Sequence, residues 1–316
     1  MSKFKSMIKA LISKRLFLIL NSLFLILTLV GVGCAPAKRL SSLTQVPPSK
    51  NLQVNFFDVG QGDAALIITP GGKTVLVDGG PGDTVLSKIG RALPLGQKKI
   101  DAMILTHPHA DHLEGLIPVL KRYAIGEVYY TGALHTTDEF LEWLTLVKKK
   151  SIPMRLVKKS EVVELDSGVK LSFLYPDGDL TAGFVLPGAS GEKDNLNNTS
   201  IVFKLIYGQT SFLFVGDAEA PVEKYLLKKM AAGAVESLRA DVLKAGHHGS
   251  HSSTGEEFLN AVKPRMAIIS AGRGNDYGHP HLRTLRRLER HSVQIYRTDT
   301  MGDIKLVSDG EKIKKN

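Results

Sequence analysis

The chain alternates short apolar, β-branched runs with segments of helical period along most of its length. From Val54 to Val77 three such runs are separated by Gly-rich turns, which predicts an opening β-meander. The predicted strands are Val54–Phe57, Ala65–Ile68, Thr74–Val77, Ile100–Thr106, Glu127–Tyr130, Met154–Val157, Lys170–Leu174, Ile201–Tyr207, Thr210–Val215, Ala240–Lys244, Met266–Ser270, Val293–Arg297 and Gly302–Val307. The predicted helices are Thr84–Ala92, His112–Tyr123, Thr137–Lys150, Pro221–Met230, Gly255–Ala261 and Leu282–Arg290.

Both halves of this pattern open with strands and close with helices. That order favours an α/β fold in which two sheets are covered by outer helices. No segment repeats with a fixed solenoid period. The stretch Asp177–Asn198 is long, Gly-rich and unpatterned, so we expect either a mobile loop or a loop that lines a site.

The N-terminus has a different pattern. Basic residues precede Leu16, and an almost continuous apolar run then leads to Cys34, the only cysteine of the chain. Residues 1–34 are therefore predicted to be a signal peptide or membrane anchor, because this order is typical of secretory signals. Cys34 stands where a lipobox would end and a lipid would be attached. An uncleaved anchor and cleavage near residues 35–37 remain as alternatives, and all three place the rest of the chain outside the cytoplasm, with membrane attachment in the first two.

Residues 35–50 are rich in Ser, Pro and basic residues and are predicted to be a flexible linker. Residues 51–316 then form one domain of ordinary size. With a single cysteine the domain has no internal disulfide, so its stability must come from its core.

The net charge is +10, and half of it precedes residue 16, where there are five basic residues and no acidic one. The modest excess that remains is compatible with a polyanionic substrate such as nucleic acid or teichoic acid. A solvated basic surface explains it equally well.

The most specific chemistry lies in the segment from Thr106 to His112. His107, His109, Asp111 and His112 bring three imidazoles and a carboxylate into six positions directly after a predicted strand. A turn with Asp111 capping a helix would explain none of the histidines. Because imidazole is the commonest transition-metal ligand, the run indicates a metal-dependent hydrolase.

Three further polar loops also follow predicted strands. They begin at Gly216-Asp217, Gly246-His247-His248 and Ala271-Gly272. Open α/β sheets bind ligands at the carboxyl ends of their strands, so we expect these loops and the histidine run to converge. Eight of the ten histidines lie within residues 107–112 and 247–281, which supports that expectation.

Several motifs occur in an order that is similar to one protein family. They are Phe57-Asp58-Val59-Gly60-Gln61-Gly62-Asp63, Val77-Asp78-Gly79-Gly80, the histidine run, Asn198-Thr199-Ser200, Gly216-Asp217, Leu243-Lys244-Ala245-Gly246-His247-His248-Gly249-Ser250 and Tyr277-Gly278-His279-Pro280-His281. Over about residues 52–308 the chain resembles the metallo-β-lactamase superfamily, and more narrowly the hydrolase domain of the ComEC-type DNA-uptake competence proteins. The resemblance implies an αββα sandwich with two divalent metal ions. Those proteins also have a polytopic channel region, which is not expected here because the one long apolar segment is N-terminal.

The resemblance also implies a ligand set. His107 and His109 would hold the first ion, and Asp111 and His112 would hold the second. Asp217 would bind both ions, and one histidine of the His-His pair would complete the second site. Those residues are His107, His109, Asp111, His112, Asp217 and either His247 or His248, of which we favour His248. His135 is interpreted as a surface histidine, so water or the Asn197–Ser200 segment would complete the first site. Zinc is the expected metal for such histidine-rich sites, with manganese as the alternative.

The reaction implied is hydrolysis of a phosphodiester by metal-activated hydroxide. Asp111, Asp217 and His279 are the expected catalytic residues, with Asp217 orienting the hydroxide and His279 donating a hydrogen bond or a proton. Asp58 and Asp78 are expected to fix loops and imidazoles, and Arg273 and Asn275 are candidate phosphate contacts. DNA is the leading substrate. Phosphocholine on teichoic acid or a nucleotide as substrate, and a DNA-binding competence accessory without turnover, are the alternatives. The sequence does not identify a protein partner.

Overall fold

The computed structural model describes residues 50–182, 195–235 and 237–316. The predicted signal or anchor, Cys34 and nearly all of the predicted linker lie outside these ranges, as do residues 183–194 of the predicted loop. In the ranges described, no helix combines the length and the apolar character needed to cross a bilayer.

The described residues form fifteen strands and eight α-helices. The strands are β1 Leu52–Phe56, β2 Ala65–Ile68, β3 Thr74–Val77, β4 Lys99–Ile104, β5 Ala124–Tyr130, β6 Met154–Leu156, β7 Glu161–Asp166, β8 Val169–Tyr175, β9 Val202–Tyr207, β10 Thr210–Phe214, β11 Val242–Lys244, β12 Met266–Ile269, β13 Gln294–Arg297, β14 Ile304–Ser308 and β15 Ile313–Lys315. The helices are α1 Thr84–Ala92, α2 Ala110–Leu113, α3 Leu116–Arg122, α4 Asp138–Lys149, α5 Ala220–Ala231, α6 Glu256–Val262, α7 Leu282–Arg290 and α8 Thr298–Met301.

The strands make two sheets. One has the order β15-β14-β1-β2-β3-β4-β5-β6 and the other the order β13-β12-β11-β10-β9-β8-β7. Strands β3 to β6 run parallel, and so do β10 to β13, while the remaining pairs are antiparallel. Parallel pairing brings the ends of β10, β11 and β12 to one edge of the second sheet, and the loop after β4 of the first sheet meets them there.

The two sheets face each other across a buried apolar core. Aromatic rings join them, with Phe56 of β1 stacked on Phe214 of β10 at 5.6 Å and Phe214 on Phe203 of β9 at 4.8 Å. Helices α1 to α4 bury their apolar faces on the outside of the first sheet. Helices α5 to α7 do the same on the second sheet. The prediction of an α/β fold with two sheets and outer helices is therefore confirmed.

The predicted helix His112–Tyr123 is two helices, α2 and α3, divided at Gly115. The division follows from a close backbone contact: the Gly115 N–H donates to the Gly80 carbonyl at 2.9 Å. A Cβ at Gly115 would lie 2.0 Å from the carbonyl oxygen of Gly79. The turn thus fixes the loop Asp78–Gly80 against the end of the histidine run.

Strands β7 and β15 and helix α8 are not among the predicted elements. Strand β7 lies at the edge of its sheet and packs only Val163 and Leu165 against the core, so its apolar signal is weak. Strand β15 is a short edge strand with one apolar residue, Ile313, and two lysines.

Gly115→Ala should destabilise the fold, because a methyl group meets backbone that has no room to move. Overpacking of this kind costs about 1–3 kcal/mol. The matched control is Gly90→Ala in α1, where a Cβ meets nothing within 4 Å in the described structure. That change should stabilise the protein by roughly 0.5–1 kcal/mol. Urea denaturation of the two variants measures both effects, and equal stabilities would contradict the close contact.

Candidate metal centre

The predicted convergence of strand ends is present in the structure. The histidine run follows β4, Asp217 follows β10, and His248 follows β11. His112 Nε2 lies 3.3 Å from Asp217 Oδ1, and His248 Nε2 lies 3.3 Å from Asp217 Oδ2. Asp111 Oδ2 lies 3.1 Å from the same nitrogen of His248. Two imidazoles and two carboxylates from three loops therefore face one point.

The far sides of both imidazoles are held by hydrogen bonds. His112 Nδ1 lies 2.9 Å from Asp78 Oδ2, and His248 Nδ1 lies 3.0 Å from the carbonyl oxygen of Ser270. Asp78 is itself fixed, because it accepts from the backbone N–H of Thr106 at 2.8 Å. An Nδ1–H donated to an oxygen leaves the Nε2 lone pair directed at the centre, which is the usual arrangement behind a metal-ligating histidine.

A second pair of nitrogens lies beside this group. His107 Nε2 and His109 Nδ1 are 3.0 Å apart, and the His107 ring is 4.2 Å from the His112 ring, centroid to centroid. His107 is fully buried, and its Nδ1 contacts the hydroxyl of Ser200 at 3.3 Å. Ser200 thus reaches His107 from behind, on the side away from His109. Within the described residues the structure therefore gives the 197–200 segment a supporting place at the first pair.

His135 is closer to this pair than its interpretation as a surface histidine suggests. Its ring is partly exposed and lies 6.4 Å from the His109 ring, and its Nδ1 lies 3.1 Å from the Thr137 hydroxyl. The loop after β5 therefore carries His135 to the rim of the centre.

The centre has the electrostatic character of a cation site. Burial lowers the pKa of His112, but the carboxylates of Asp217, Asp78 and Asp111 outweigh burial and hold this pKa well above its ordinary value. Burial raises the pKa of Asp217, but His248 and His112 outweigh it and hold the pKa of this carboxyl well below its ordinary value. The carboxylates thus favour positive charge on groups that point inward.

Two buried polar atoms of the centre confirm that the donor set is incomplete by itself. His112 Nε2 and Asp217 Oδ1 are 3.3 Å apart, but neither forms a hydrogen bond of acceptable geometry in the described part of the chain. Leaving a buried polar group unsatisfied costs about 1–3 kcal/mol, more for a charged group. A divalent cation bound between these imidazoles and carboxylates satisfies both atoms, so the residues fit a metal ion.

The His-His pair is divided between two environments. His248 is buried in the centre, whereas the His247 side chain is 24% exposed and its Nε2 lies 3.8 Å from Asp217 Oδ2. His247 Nδ1 lies 3.0 Å from Glu219 Oε1. Both histidines have left-handed backbones, with φ of 45° and 52°. Such conformations cost roughly 1–2 kcal/mol per residue outside glycine, and strain of this kind concentrates at functional sites.

Asp63 and Glu219 belong to the centre but are absent from the predicted site residues. Asp63 is buried, lies 3.3 Å from His248 Nδ1 through Oδ1, and pairs with Lys244 at 2.8 Å. Its carboxylate is within 4.8 Å of ligand atoms of His112, Asp217 and His248. The sequence signal that could have found them is position, because Asp63 ends the motif 57–63 and Glu219 follows Asp217 by two residues.

His279 lies beyond the His-His pair. Its ring is 5.3 Å from that of His247 and 6.2 Å from that of His248, and its buried Nδ1 has no hydrogen-bond partner in the described structure. Burial and the two neighbouring imidazoles lower the pKa of His279 to about 4. The imidazole is therefore neutral near pH 7.

The two candidate phosphate contacts are engaged elsewhere. Both ends of the Asn275 amide bond the backbone of its own loop, including the N–H and the carbonyl of His279. Arg273 is exposed, and its Nε donates to the carbonyl of Asp299 at 3.1 Å. Asn275 thus fixes the position of His279 and is not directed at the centre.

A family model, described as the metallo-β-lactamase superfamily, matches residues 57–273. The chain belongs to the metallo-β-lactamase superfamily. It is 30% identical over 271 residues to ComE operon protein 3 of Bacillus subtilis (strain 168), covering 80% of this chain and 32% of that protein. It is 28% identical over 286 residues to Competence protein ComA of Neisseria gonorrhoeae, covering 86% of this chain and 35% of that protein.

The chain thus spans about a third of the length of these competence-protein relatives, and the predicted ComEC-type resemblance is confirmed. Among solved structures, an E377D mutant of the β-hydroxylase CmlA superposes with a TM-score of 0.51 at 14% identity, covering 81% of this chain and 53% of that one. That likeness shows the fold alone. The chain is therefore a metallo-β-lactamase superfamily hydrolase with competence-protein relatives.

Asp78→Asn should weaken metal binding by about 10–100-fold, because a neutral amide holds the His112 Nδ1–H less firmly than a carboxylate does. Titration with Zn²⁺ or Mn²⁺ against a chelator of known affinity measures the change. Asp101→Asn is the matched control, since Asp101 pairs with exposed Lys73 and Lys99 at the other end of β4. Equal weakening in both variants would assign the loss to general destabilisation.

Proposed function

We propose that the chain is an extracytoplasmic, metal-dependent phosphodiesterase that acts on DNA. The observation that carries the proposal is the convergence of imidazoles and carboxylates around Asp217. The Nδ1 atoms of His112 and His248 are held by oxygen atoms on the far side, which leaves the Nε2 lone pairs directed at the centre. The competence-protein relatives support DNA as the substrate.

We assign two adjacent ion sites. His107 and His109 would hold the first ion, through the two nitrogens that lie 3.0 Å apart. Asp111, His112 and His248 would hold the second, with Asp217 as the shared carboxylate. The histidines suit zinc, and the number of carboxylates around the second site keeps manganese as the alternative.

The chemistry of the site follows from these residues. Divalent ions bound here would lower the pKa of water toward neutrality and offset negative charge on the phosphoryl oxygens. Asp217, buried and held ionised by His112 and His248, orients the attacking water. His279 is neutral and keeps an unsatisfied Nδ1, so it serves as a hydrogen-bonding group toward the phosphodiester.

His247 adds a second polar group at the rim. Its Nδ1 is held by Glu219, which also accepts from the Ser252 hydroxyl at 2.8 Å and from Asn195 Nδ2 at 2.7 Å. The other ring nitrogen therefore faces the centre in a fixed orientation. We assign His247 to substrate positioning, and His248 to the metal.

A basic groove on the first sheet supports a polymeric anion over a small ester. The groove has a volume of about 420 Å³ and runs along β1, β14 and β15. The lysines that line it are Lys305, Lys312, Lys314 and Lys315. Asp309 is the acidic side chain that lines the groove beside these four lysines, so a net positive charge is left to interact with phosphates.

The test of the proposed function is hydrolysis by the purified full-length chain with Mn²⁺ or Zn²⁺. Plasmid, single-stranded DNA and bis-p-nitrophenyl phosphate should all be cleaved, and chelation should stop every reaction. Cleavage of DNA at limiting concentration should fall roughly a thousandfold between 50 and 200 mM salt if six phosphates are contacted. Cleavage of the small ester should change little.

Asp217→Ala is the matched inactive variant, and it should lose most bound metal and nearly all activity. If the chain cleaves the small ester but does not cleave DNA at any ionic strength, the substrate is another phosphodiester, such as teichoic-acid phosphocholine or a nucleotide. If the chain binds DNA in a salt-sensitive manner but does not cleave it, the protein is a DNA-binding accessory and not an enzyme.

The location of the protein is proposed from the N-terminal sequence. If Cys34 is lipidated, a metabolic fatty-acid probe should label the wild-type chain and not Cys34→Ser, because the thioether requires this thiol. Membrane fractionation of both chains completes the test. An unlabelled wild-type chain that still pellets with membranes would favour the uncleaved anchor.

A further inference from the structure

We propose that Tyr277 forms a stacking subsite for a nucleobase at the rim of the metal centre. This inference rests on the proposed function, because it names the part of a phosphodiester substrate that the rim recognises. Tyr277 is not used by the centre itself, and the hydrolytic chemistry assigns it no role.

Tyr277 lies at the end of a row of aromatic side chains that crosses the centre. The centroids of neighbouring rings in this row are 4.2 to 6.4 Å apart. The row runs His135, His109, His107, His112, His248, His279, Tyr277. Tyr277 thus stands at one end of the row, one ring beyond His279 and two beyond a proposed metal ligand.

The ring of Tyr277 is accessible where a substrate would pass. Tyr277 is 72% exposed, and its ring lies 5.9 Å from that of His279 at an interplanar angle of 24°. A large aromatic side chain this exposed gains little from burial, so packing does not account for it. An exposed aromatic face beside a phosphate-binding centre is the arrangement by which single-stranded nucleic acids are bound, because every base has a π face.

The loop that carries Tyr277 is rigid. Asn275 Oδ1 accepts from the backbone N–H of Tyr277 at 3.1 Å and from that of His279 at 3.0 Å. Asn275 Nδ2 donates to the carbonyl oxygens of Gly272 and His279. Gly278, with φ of 67°, provides the turn between the two aromatic residues. A loop held in place before binding, with the Tyr277 ring stacked on His279, loses little entropy when a base binds.

The chemistry of the ligand is then defined. The base of a nucleotide lies beside the phosphate that its own sugar carries, and Tyr277 is the exposed Phe, Trp or Tyr side chain at that rim among the described residues. Stacking tolerates every base, so the subsite selects nucleic acid over other phosphodiesters without selecting sequence. Teichoic-acid phosphates carry no such flat ring.

The experiment compares one oligonucleotide with an abasic oligonucleotide of the same length, using the full-length chain loaded with metal. Tyr277→Ala should raise KM for the base-containing strand by about 5–150-fold, the range expected for one stacked base, and leave the abasic strand unchanged. Tyr277→Phe keeps the ring and should behave like the wild type. Leu95→Ala, which removes an exposed apolar side chain at the opposite end of β4, is the matched surface control.

Equal loss on both strands would overturn the inference, since it would assign Tyr277 a general role in holding His279. Unchanged KM on both strands would overturn it as well, while DNA cleavage by the wild type would leave the proposed function standing. A wild-type chain that hydrolyses bis-p-nitrophenyl phosphate but neither strand would overturn the proposed function together with the subsite. Thermal unfolding of each variant checks that it folds. We expect the Tyr277 variants to fold, because this exposed side chain contributes little to the core.

Discussion

The structure depends on the burial of one carboxylate, Asp217, between two imidazoles that come from different sheets. His112 lies in α2, after β4 of the first sheet, and His248 lies in the turn after β11 of the second. Both Nε2 atoms lie 3.3 Å from Asp217. Burying charge is costly unless it is compensated, so the surroundings must supply oriented partners. Asp78, Ser270 and the backbone of the loops provide them. The sandwich is thus organised so that its edge can hold opposite charges out of water.

Much of the architecture could be predicted from the sequence, because its signals are local. Apolar runs of strand length separated by Gly-rich turns mark the central strands, and helical periods mark α1, α4, α5 and α7. The convergence of Asp217 and His248 was predictable from a general property, that loops after neighbouring parallel strands meet at one edge. His112 follows a strand of the other sheet and joins them across the sandwich. The motif order added the family.

What could not be predicted depends on contacts distant in sequence. The break between α2 and α3 arises from the approach of Gly115 to Gly79, which no periodicity reports. Asp63 joins the centre through Lys244 and His248, about 180 residues further along the chain. The separate environments of His247 and His248 come from their left-handed backbones, since adjacent identical residues give no sign of which one turns inward.

The left-handed turn at 246–249 also has an evolutionary consequence. Because it directs adjacent side chains to different surroundings, His248 is enclosed by the buried centre, whereas His247 is partly exposed and is held from behind by Glu219. If His247 positions the substrate as proposed, mutations at the outer position can change the preference for one ester over another while the inner position keeps its contacts with Asp111 and Asp217. Under the proposed function, such a turn would let substrate preference change without rebuilding the buried centre.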